Sequence, residues 1–561
     1  MKKSILLIII LLTFKISFSQ NEITENQKTE SLIYIWGLLK YKHPKVSKGD
    51  FDIDKEFISV FDKMKSIHTR NEFNLELFNW IKKFESKKIK YKTNTNFLET
   101  KRLFKKSADF SWIKNSFFDH ELIELLNKIK DNYNYGDYYA SVNKMSSAVE
   151  FKNDKNFINF NKKRKSHRAL FLASFWNKMK YWNVNIYLTE TNWNKVLTEL
   201  VPEFLSDDET TYSLGKDKLF AKLNDSHSNY NSSYLFKNKK NKFSLYGGRI
   251  VNDTLVIRTL FNESLAKKEN IELGDLIFSI DGKNLKQYYI DKFSNRISAS
   301  NENYLKAILE PYYLLSNNSD SLKIGLMKKN KTVLKKYIKL YKYSDYKYKP
   351  VTLNIIGEEK WKTITQDVGY INLKEINKSE LKKAFKTFNQ KKGIIIDLRN
   401  YPKNLNKSDV PNFIFPKKKV FMKLLAPFTP SYGKYEQQSK LKLLYNPFSA
   451  GKKNKNYYKG KIVLLVDRNT GSMAEYFGMA IQQAPNCITL GEQTFGAVMN
   501  RKEVILKDNT KIDFTGAGAF YPNNENVQRN GLKIDFVIKE IALNYNENKY
   551  IEEAIKIIEG K

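Results

Sequence analysis

The chain has 561 residues, too many for a single hydrophobic core, so several domains are expected. An apolar share of 41% and an aromatic share of 14% exclude a disordered protein, and no run of about 18 apolar residues is present to span a bilayer. The single cysteine rules out an intramolecular disulfide; with only five scattered histidines it also rules out zinc-finger and HExxH spacing, so no metal and no other cofactor is expected.

The formal net charge of +37 raises the question of nucleic acid. The excess is mostly lysine spread over the whole length, in pieces such as Lys82-Lys83, Lys237–Lys242 and Lys452–Lys455. No basic helix, zinc site or stacking motif accompanies it, so a solvated lysine-rich surface is expected and no nucleic-acid partner.

Residues 1–19 read as a secretory signal. Lys2 and Lys3 precede the apolar run Ile5–Leu12, and Ser17-Phe18-Ser19 supplies small residues for cleavage near Ser19. The expected location is therefore secreted or periplasmic. Residues 20–145 read as helical: Leu32, Ile35, Trp36 and Leu39 form one stripe, and the pattern recurs at 71–83 and 120–130. His43-Pro44 ends the first helix, and a lone histidine there reads as structural. A helical segment at 146–240 follows, with a helix expected over 169–182, and carries Asp225-Ser226-His227 just past a helix-like stretch. Residues 241–345 turn to β character, with Val251–Thr259 and Leu322–Met327 as strands.

Residues 346–545 read as an α/β core. Val368–Leu373 and Gly393–Asp397 are strands and Ser379–Asn389 a helix. Ile462–Val466 is a short apolar run, as in a strand buried on both faces. The polar turn Asp467–Gly471 follows. Ala474, Phe477, Gly478 and Ile481 then form one stripe of a helix that Pro485 stops, and Cys487–Leu490 is the next strand. This is a βαβ unit with parallel strands. Ser472 sits where the turn becomes the helix, beside unpaired N–H groups able to hold an oxyanion. Ser is also a common N-cap, and this stretch alone leaves cap and nucleophile both open. Residues 546–561 form a terminal helix.

Ser472-Met473-Ala474-Glu475, followed by Gly491-Glu-Gln-Thr-Phe-Gly496, resembles the nucleophile region of the carboxy-terminal processing and tricorn-core family of serine peptidases. In that family a Ser-x-[Ala/Ser]-Glu helix start precedes a strand ending in Gly-Glu-x-Thr-x-Gly. The lysine base expected after Gly496 is Ala497 here, so the chain resembles the branch that uses histidine. Asp225-Ser226-His227 matches the histidine context of that branch. Trp176–Asn183 and Trp193–Phe204 resemble the helical segment that precedes the catalytic core in a secreted bacterial subgroup. Ile394–Arg399 resembles the family's Asp-Leu-Arg motif, although it runs on into Asn400-Tyr401-Pro402, and Pro402 has no N–H. Gln528-Arg-Asn-Gly531 resembles the closing motif, with Gln528 where the branch places a glutamate. Gly274-Asp275 to Asp281-Gly282 resembles the strand pair of PDZ domains, which add an extended peptide as a strand.

The resemblance implies an α+β multidomain protein with a helical N-terminal region, a PDZ-like β module and an α/β (βαβ) peptidase core. It implies a serine-type endopeptidase acting on a peptide or protein substrate. Ser472 would be the nucleophile and His227 the base; Ser226 or Gln528 would fix the imidazole tautomer. Met473 N–H would be an oxyanion donor, and Gly274 and Asp275 would belong to the substrate-binding module. Ala497 and Gln528 keep a second class open, a catalytically silent peptide-binding protein with the same fold.

Overall fold

The computed structural model describes residues 22–561 except 86–88, 94–102, 115–116, 144–146, 155–156, 158, 229–240, 312, 343–349, 353–358 and 439–445. The expected signal at 1–19 lies outside the described residues. The chain forms two compact units, one of residues up to 216 with 426–437 and 503–512, the other of 217–425, 438–502 and 513–561.

The first unit is mostly helical: α1 (Glu25–Lys42), α2 (Ile53–Lys63), α3 (Arg70–Lys83), α4 (His120–Lys130), α5 (Lys165–Trp182) and α6 (Trp193–Leu205). Thr24 starts α1 with a capping box to Gln27. The sequence stripe at Leu32–Leu39 understates this helix, because Ser31–Lys42 is buried on every side, as is Ser166–Trp182 of α5. The two pack closely: Asn177 Nδ2 donates to Ile33 O at 2.9 Å, and a Cβ on Gly37 would strike the Asn177 side chain. Burying lysines in such helices requires partners. Asp154 accepts Lys40, Lys178 and Lys507 at 2.8, 3.0 and 2.7 Å, and Asp54 joins the cluster. His43 is buried and accepts from Val46 N–H at 3.3 Å, a structural use. Residues 165–216 stay with these helices, whereas the sequence reading set a boundary at 145/146.

The second unit holds two sheets. Strands β1 (Tyr246–Val251), β2 (Thr254–Leu260), β3 (Leu276–Ile280), β4 (Ser321–Met327) and β5 (Val333–Lys339) form most of a seven-stranded sheet in which β5, β4, β3 and β2 are successive neighbours and β1 pairs with β2. A turn at Asn252-Asp253, both at positive φ, separates Val251 from the strand expected to contain it. Helices α7 (Leu285–Phe293) and α8 (Glu302–Leu309) supply Leu285, Tyr289, Leu305 and Leu309 to the core of this module.

The other sheet has six strands in the order β6 (Trp361–Thr363), β7 (Val368–Asn372), β8 (Gly393–Asp397), β9 (Lys461–Val466), β10 (Cys487–Gly491) and β12 (Phe536–Val537). All neighbours from β7 to β12 are parallel; β6 is antiparallel. Helix α9 (Lys378–Thr387) crosses from β7 to β8 and α10 (Met473–Ile481) from β9 to β10, while β11 (Lys511–Thr515) lies outside this sheet. The apolar runs are buried on both faces: Ile394, Ile396, Ile462 and Leu464 alternate with Ile395, Val463 and Leu465. The latter three pack against Tyr550, Ile551, Ala554 and Ile558 of the last helix, α11 (Lys549–Glu559). The C-terminal helix is therefore part of this core and not a separate appendage.

Candidate active site

Strand β9 ends at Val466, and the chain must reverse before α10. Thr470 holds that turn: its hydroxyl accepts from Asp467 N–H and donates to Leu398 O, both at 3.0 Å, tying the ends of β9 and β8 together. Ser472 sits at φ +55° and ψ −115°. A serine in this region costs on the order of 1–3 kcal/mol, and such strain persists where the surroundings over-determine it. It sets Ser472, half-buried, at the carboxyl end of a parallel sheet, where ligands of α/β folds bind. Met473 N–H opens α10 with no partner among the described residues.

The surroundings that hold Ser472 converge on Glu475. This wholly buried carboxylate accepts from Thr494 Oγ1 and Gly496 N–H, both at 2.7 Å, from Ala497 N–H at 3.0 Å and from Ser472 N–H at 3.3 Å. Burial pushes its carboxyl up to about 7 against those four donors. Ala497 is buried, and its N–H is what the site uses. Phe495, in the same loop, donates its N–H to Thr470 O at 3.0 Å and lays its ring against Gly471, where a Cβ would collide.

That phenyl ring is also the neighbour of His227, with ring centroids 5.7 Å apart. His227 and the Ser472 turn therefore meet at one side chain despite their separation in sequence. His227 Nδ1 lies 3.0 Å from Thr515 Oγ1 at the end of β11. The Thr515 hydroxyl donates to Asp225 Oδ1 at 2.7 Å, and Asp225 also accepts Thr515 N–H and, at 3.0 Å, His227 N–H. A hydroxyl has one hydrogen. With that hydrogen committed to the Asp225 carboxylate, Thr515 Oγ1 can only accept from the ring, so Nδ1 carries the proton and Nε2 presents its lone pair. Burial holds the imidazole below its ordinary 6.5; nearby Asp225 opposes this and Arg501 reinforces it.

Three sequence assignments are corrected by these contacts. Ser226 does not orient the ring: its hydroxyl donates to Phe495 O at 2.9 Å and accepts Ser300 N–H at 3.0 Å, so it fastens the histidine loop instead. Gln528 does not orient it either; Nδ1 is taken by Thr515, and the buried Gln528 Oε1 has no partner among the described residues. Asp275 is not open to a ligand, being wholly buried on Glu272 N–H and Lys328 Nζ at 2.9 and 2.7 Å, while Gly274, at φ +89° and half-buried, makes the turn into β3. Arg399 pairs with Asp397, to which it also donates its own N–H at 3.0 Å, so that backbone group is not free.

Thr515 and Phe495 went unpredicted. The Thr515 bond spans 288 positions, and nothing local distinguishes a threonine at a strand end. Asp225 did have a signal: Asp two residues before His is the spacing of an Asx-turn, in which the carboxylate takes the N–H of residue i+2.

Comparison with known proteins bears on the α/β core. Residues 367–538 fit the model of peptidase family S41. No curated protein sequence matches the chain. Among solved structures, mature CPAF complexed with lactacystin superposes with a TM-score of 0.52 at 11% identity, over 70% of this chain and 98% of that one. A second structure of mature CPAF gives 0.51 at 11% identity, over 69% and 95%. A photosystem II D1 C-terminal processing protease is 17% identical over 66% and 93%, with a TM-score of 0.34, too low to bear on the fold. The sheet, the strained serine and the family match define a serine-type peptidase core. The family match covers residues 367–538, the stretch that carries Ser472 and most of the parallel sheet.

Proposed function

We propose that the protein is an exported endopeptidase that cleaves peptide bonds by a Ser472–His227 mechanism. His227 Nε2 takes the Ser472 proton as the hydroxyl attacks the scissile carbonyl, then gives it to the leaving amine. Met473 N–H stabilises the oxyanion. Thr515 and Asp225 are positioning residues that fix the tautomer. The observation that carries this reading is the donor chain from His227 Nδ1 through Thr515 to Asp225, which leaves Nε2 as a free base. The sheet module of residues 242–342 is read as PDZ-like and as the place where an extended substrate is held, and residues 1–19 as the cleaved export signal. The silent-scaffold alternative draws on Ala497, on Gln528 in place of a carboxylate and on the lack of glycines after Arg399.

One experiment separates the two. A fluorophosphonate probe should label Ser472 in the wild type, and labelling should vanish in Ser472→Ala and fall steeply in His227→Ala. Absence of labelling in folded wild-type protein would leave the peptide-binding scaffold as the reading. Export is checked apart from this: secreted protein should begin near Gln20.

A further inference from the structure

The helical unit contains a charge that the peptidase chemistry does not use. Lys180, near the end of α5, is 3% exposed. Its ammonium sits among four aromatic rings, 4.5 Å from the Trp176 centroid, 4.9 Å from Tyr34, 5.4 Å from Phe110 and 5.6 Å from Trp112. Ring faces attract a cation but accept no strong hydrogen bond. An ammonium has three donors, and one contact is found for them among the described residues, Asn194 Oδ1 at 3.4 Å. The Asn194 amide cannot turn to do better, because its Nδ2 donates to Asp109 at 2.7 Å. No carboxylate comes within ion-pair distance of Lys180 among the described residues, so a buried cation keeps unspent donors.

Lys180 and Asn194 line one cavity of about 300 Å³. Ile186 and Trp193 form apolar walls, and Lys106 and Asp109 complete its charged lining. The frame is stiff: the Trp176 and Trp193 indoles each donate to the other's backbone oxygen, at 2.8 and 3.0 Å.

We infer that this cavity is a binding site for a small organic monocarboxylate, with its carboxylate on Lys180 Nζ and its apolar body against Ile186 and Trp193. With a carboxylate bound and Lys180 protonated, two lysines face one aspartate, which suits a monoanion; Asp109 at the wall disfavours a dianion such as phosphate. The volume is that of a small-ligand pocket. Burial holds the Lys180 amine far below the usual lysine range, opposed by Asp109, so a bound carboxylate would supply the charge the site lacks.

The test uses the exported-length protein and benzoate as probe, with benzamide as its neutral analogue and inorganic phosphate as the dianion, by calorimetric titration. Benzoate should bind saturably, and benzamide and phosphate at least about tenfold more weakly, the worth of one charge-assisted contact. Lys180→Met should weaken benzoate by at least about tenfold. Ile186→Trp, which fills the cavity without touching its charges, should abolish binding. No saturable benzoate binding, equal binding of benzoate and benzamide, or an unchanged affinity in whichever of the two variants folds would overturn the proposal.

Discussion

Thr515→Val is the sharpest test of the site, because the side chain it changes touches neither substrate nor nucleophile. Valine keeps the shape and the strand propensity but removes the oxygen that accepts from His227 Nδ1 and donates to Asp225. The ring then has no partner to hold its proton on Nδ1. Leaving a buried donor unpaired costs about 1–3 kcal/mol. If that energy now maintains the reactive tautomer and orientation, kcat/KM should fall roughly 5- to 150-fold at one decade per ~1.4 kcal/mol. The loss should stay below that of removing the base altogether, on the order of 10²–10⁴. Thr515→Ser should restore most of the rate, since it returns the hydroxyl. Asp225→Asn should cost more than Thr515→Val, because it removes a charge as well as an acceptor. The assays are fluorophosphonate labelling rates and turnover of a quenched peptide library at pH 8, with thermal unfolding to confirm the fold. Rates within twofold of wild type in folded Thr515→Val, or no rescue by Thr515→Ser, would refute the relay.

Three further outcomes follow from the same contacts. The labelling rate should fall on acidification with a midpoint below 6.5, since burial lowers the His227 value and only the neutral ring can act; the limb should persist in Glu475→Gln, which separates it from Glu475's own titration, and a midpoint above 6.5 would contradict burial as the dominant influence. Glu475, raised to about 7 from 4.5, contributes stability that is fully present below ~4.5 and is lost as pH rises through about 7; urea titrations at pH 5 and 8.5 should show that difference in wild type and not in Glu475→Gln. Asp154→Asn should destabilise the helical unit by about 3–5 kcal/mol, because Lys40, Lys178 and Lys507 lose their shared counter-charge; a change under 1 kcal/mol in urea unfolding would show that these lysines are neutral in the fold.

The features nearest Ser472 are the ones most legible in the sequence. The run Ile462–Val466, the turn and the stripe Ala474–Ile481 specify strand, turn and helix by period alone, and the structure has them within a residue or two. The role of Ser472 is ambiguous in sequence for a physical reason: a serine at a helix start serves either role, and Glu475 on its N–H is the capping-box contact, so only its φ of +55° departs from a plain cap. What sequence could not carry is the long-range polar chemistry. Asp275 and Gly274 belong to a local pattern that specifies a turn, and the pattern is silent on whether that turn faces a ligand. Thr515 reaches His227 through the fold, and Ser226 is diverted from it by a carbonyl on Phe495. The buried lysines of α1 and α5 look like any solvated lysines in sequence, because their partners Asp54 and Asp154 lie outside those helices.

The departures at Ala497 and Gln528 look at first like the loss of a machine, yet the charge they remove has a substitute in place. An imidazolium formed on His227 needs a negative charge nearby, and Gln528 cannot supply one. Asp225 can. It reaches the ring through one hydroxyl, over bonds of 3.0 and 2.7 Å, and is anchored to the histidine's own backbone N–H. At a separation of ~5 Å and an effective dielectric near 20, a carboxylate stabilises an imidazolium by on the order of 3 kcal/mol, the same sense in which Asp225 already raises the His227 value against burial. Ala497 is compensated differently. A lysine there would bring a buried amine beside Glu475, whereas the alanine leaves that carboxylate to the backbone N–H groups of Ser472, Gly496 and Ala497. Glu475 can then hold the Ser472 turn and the Phe495 loop together, and in the proposed mechanism the base is His227, on the other flank of that loop.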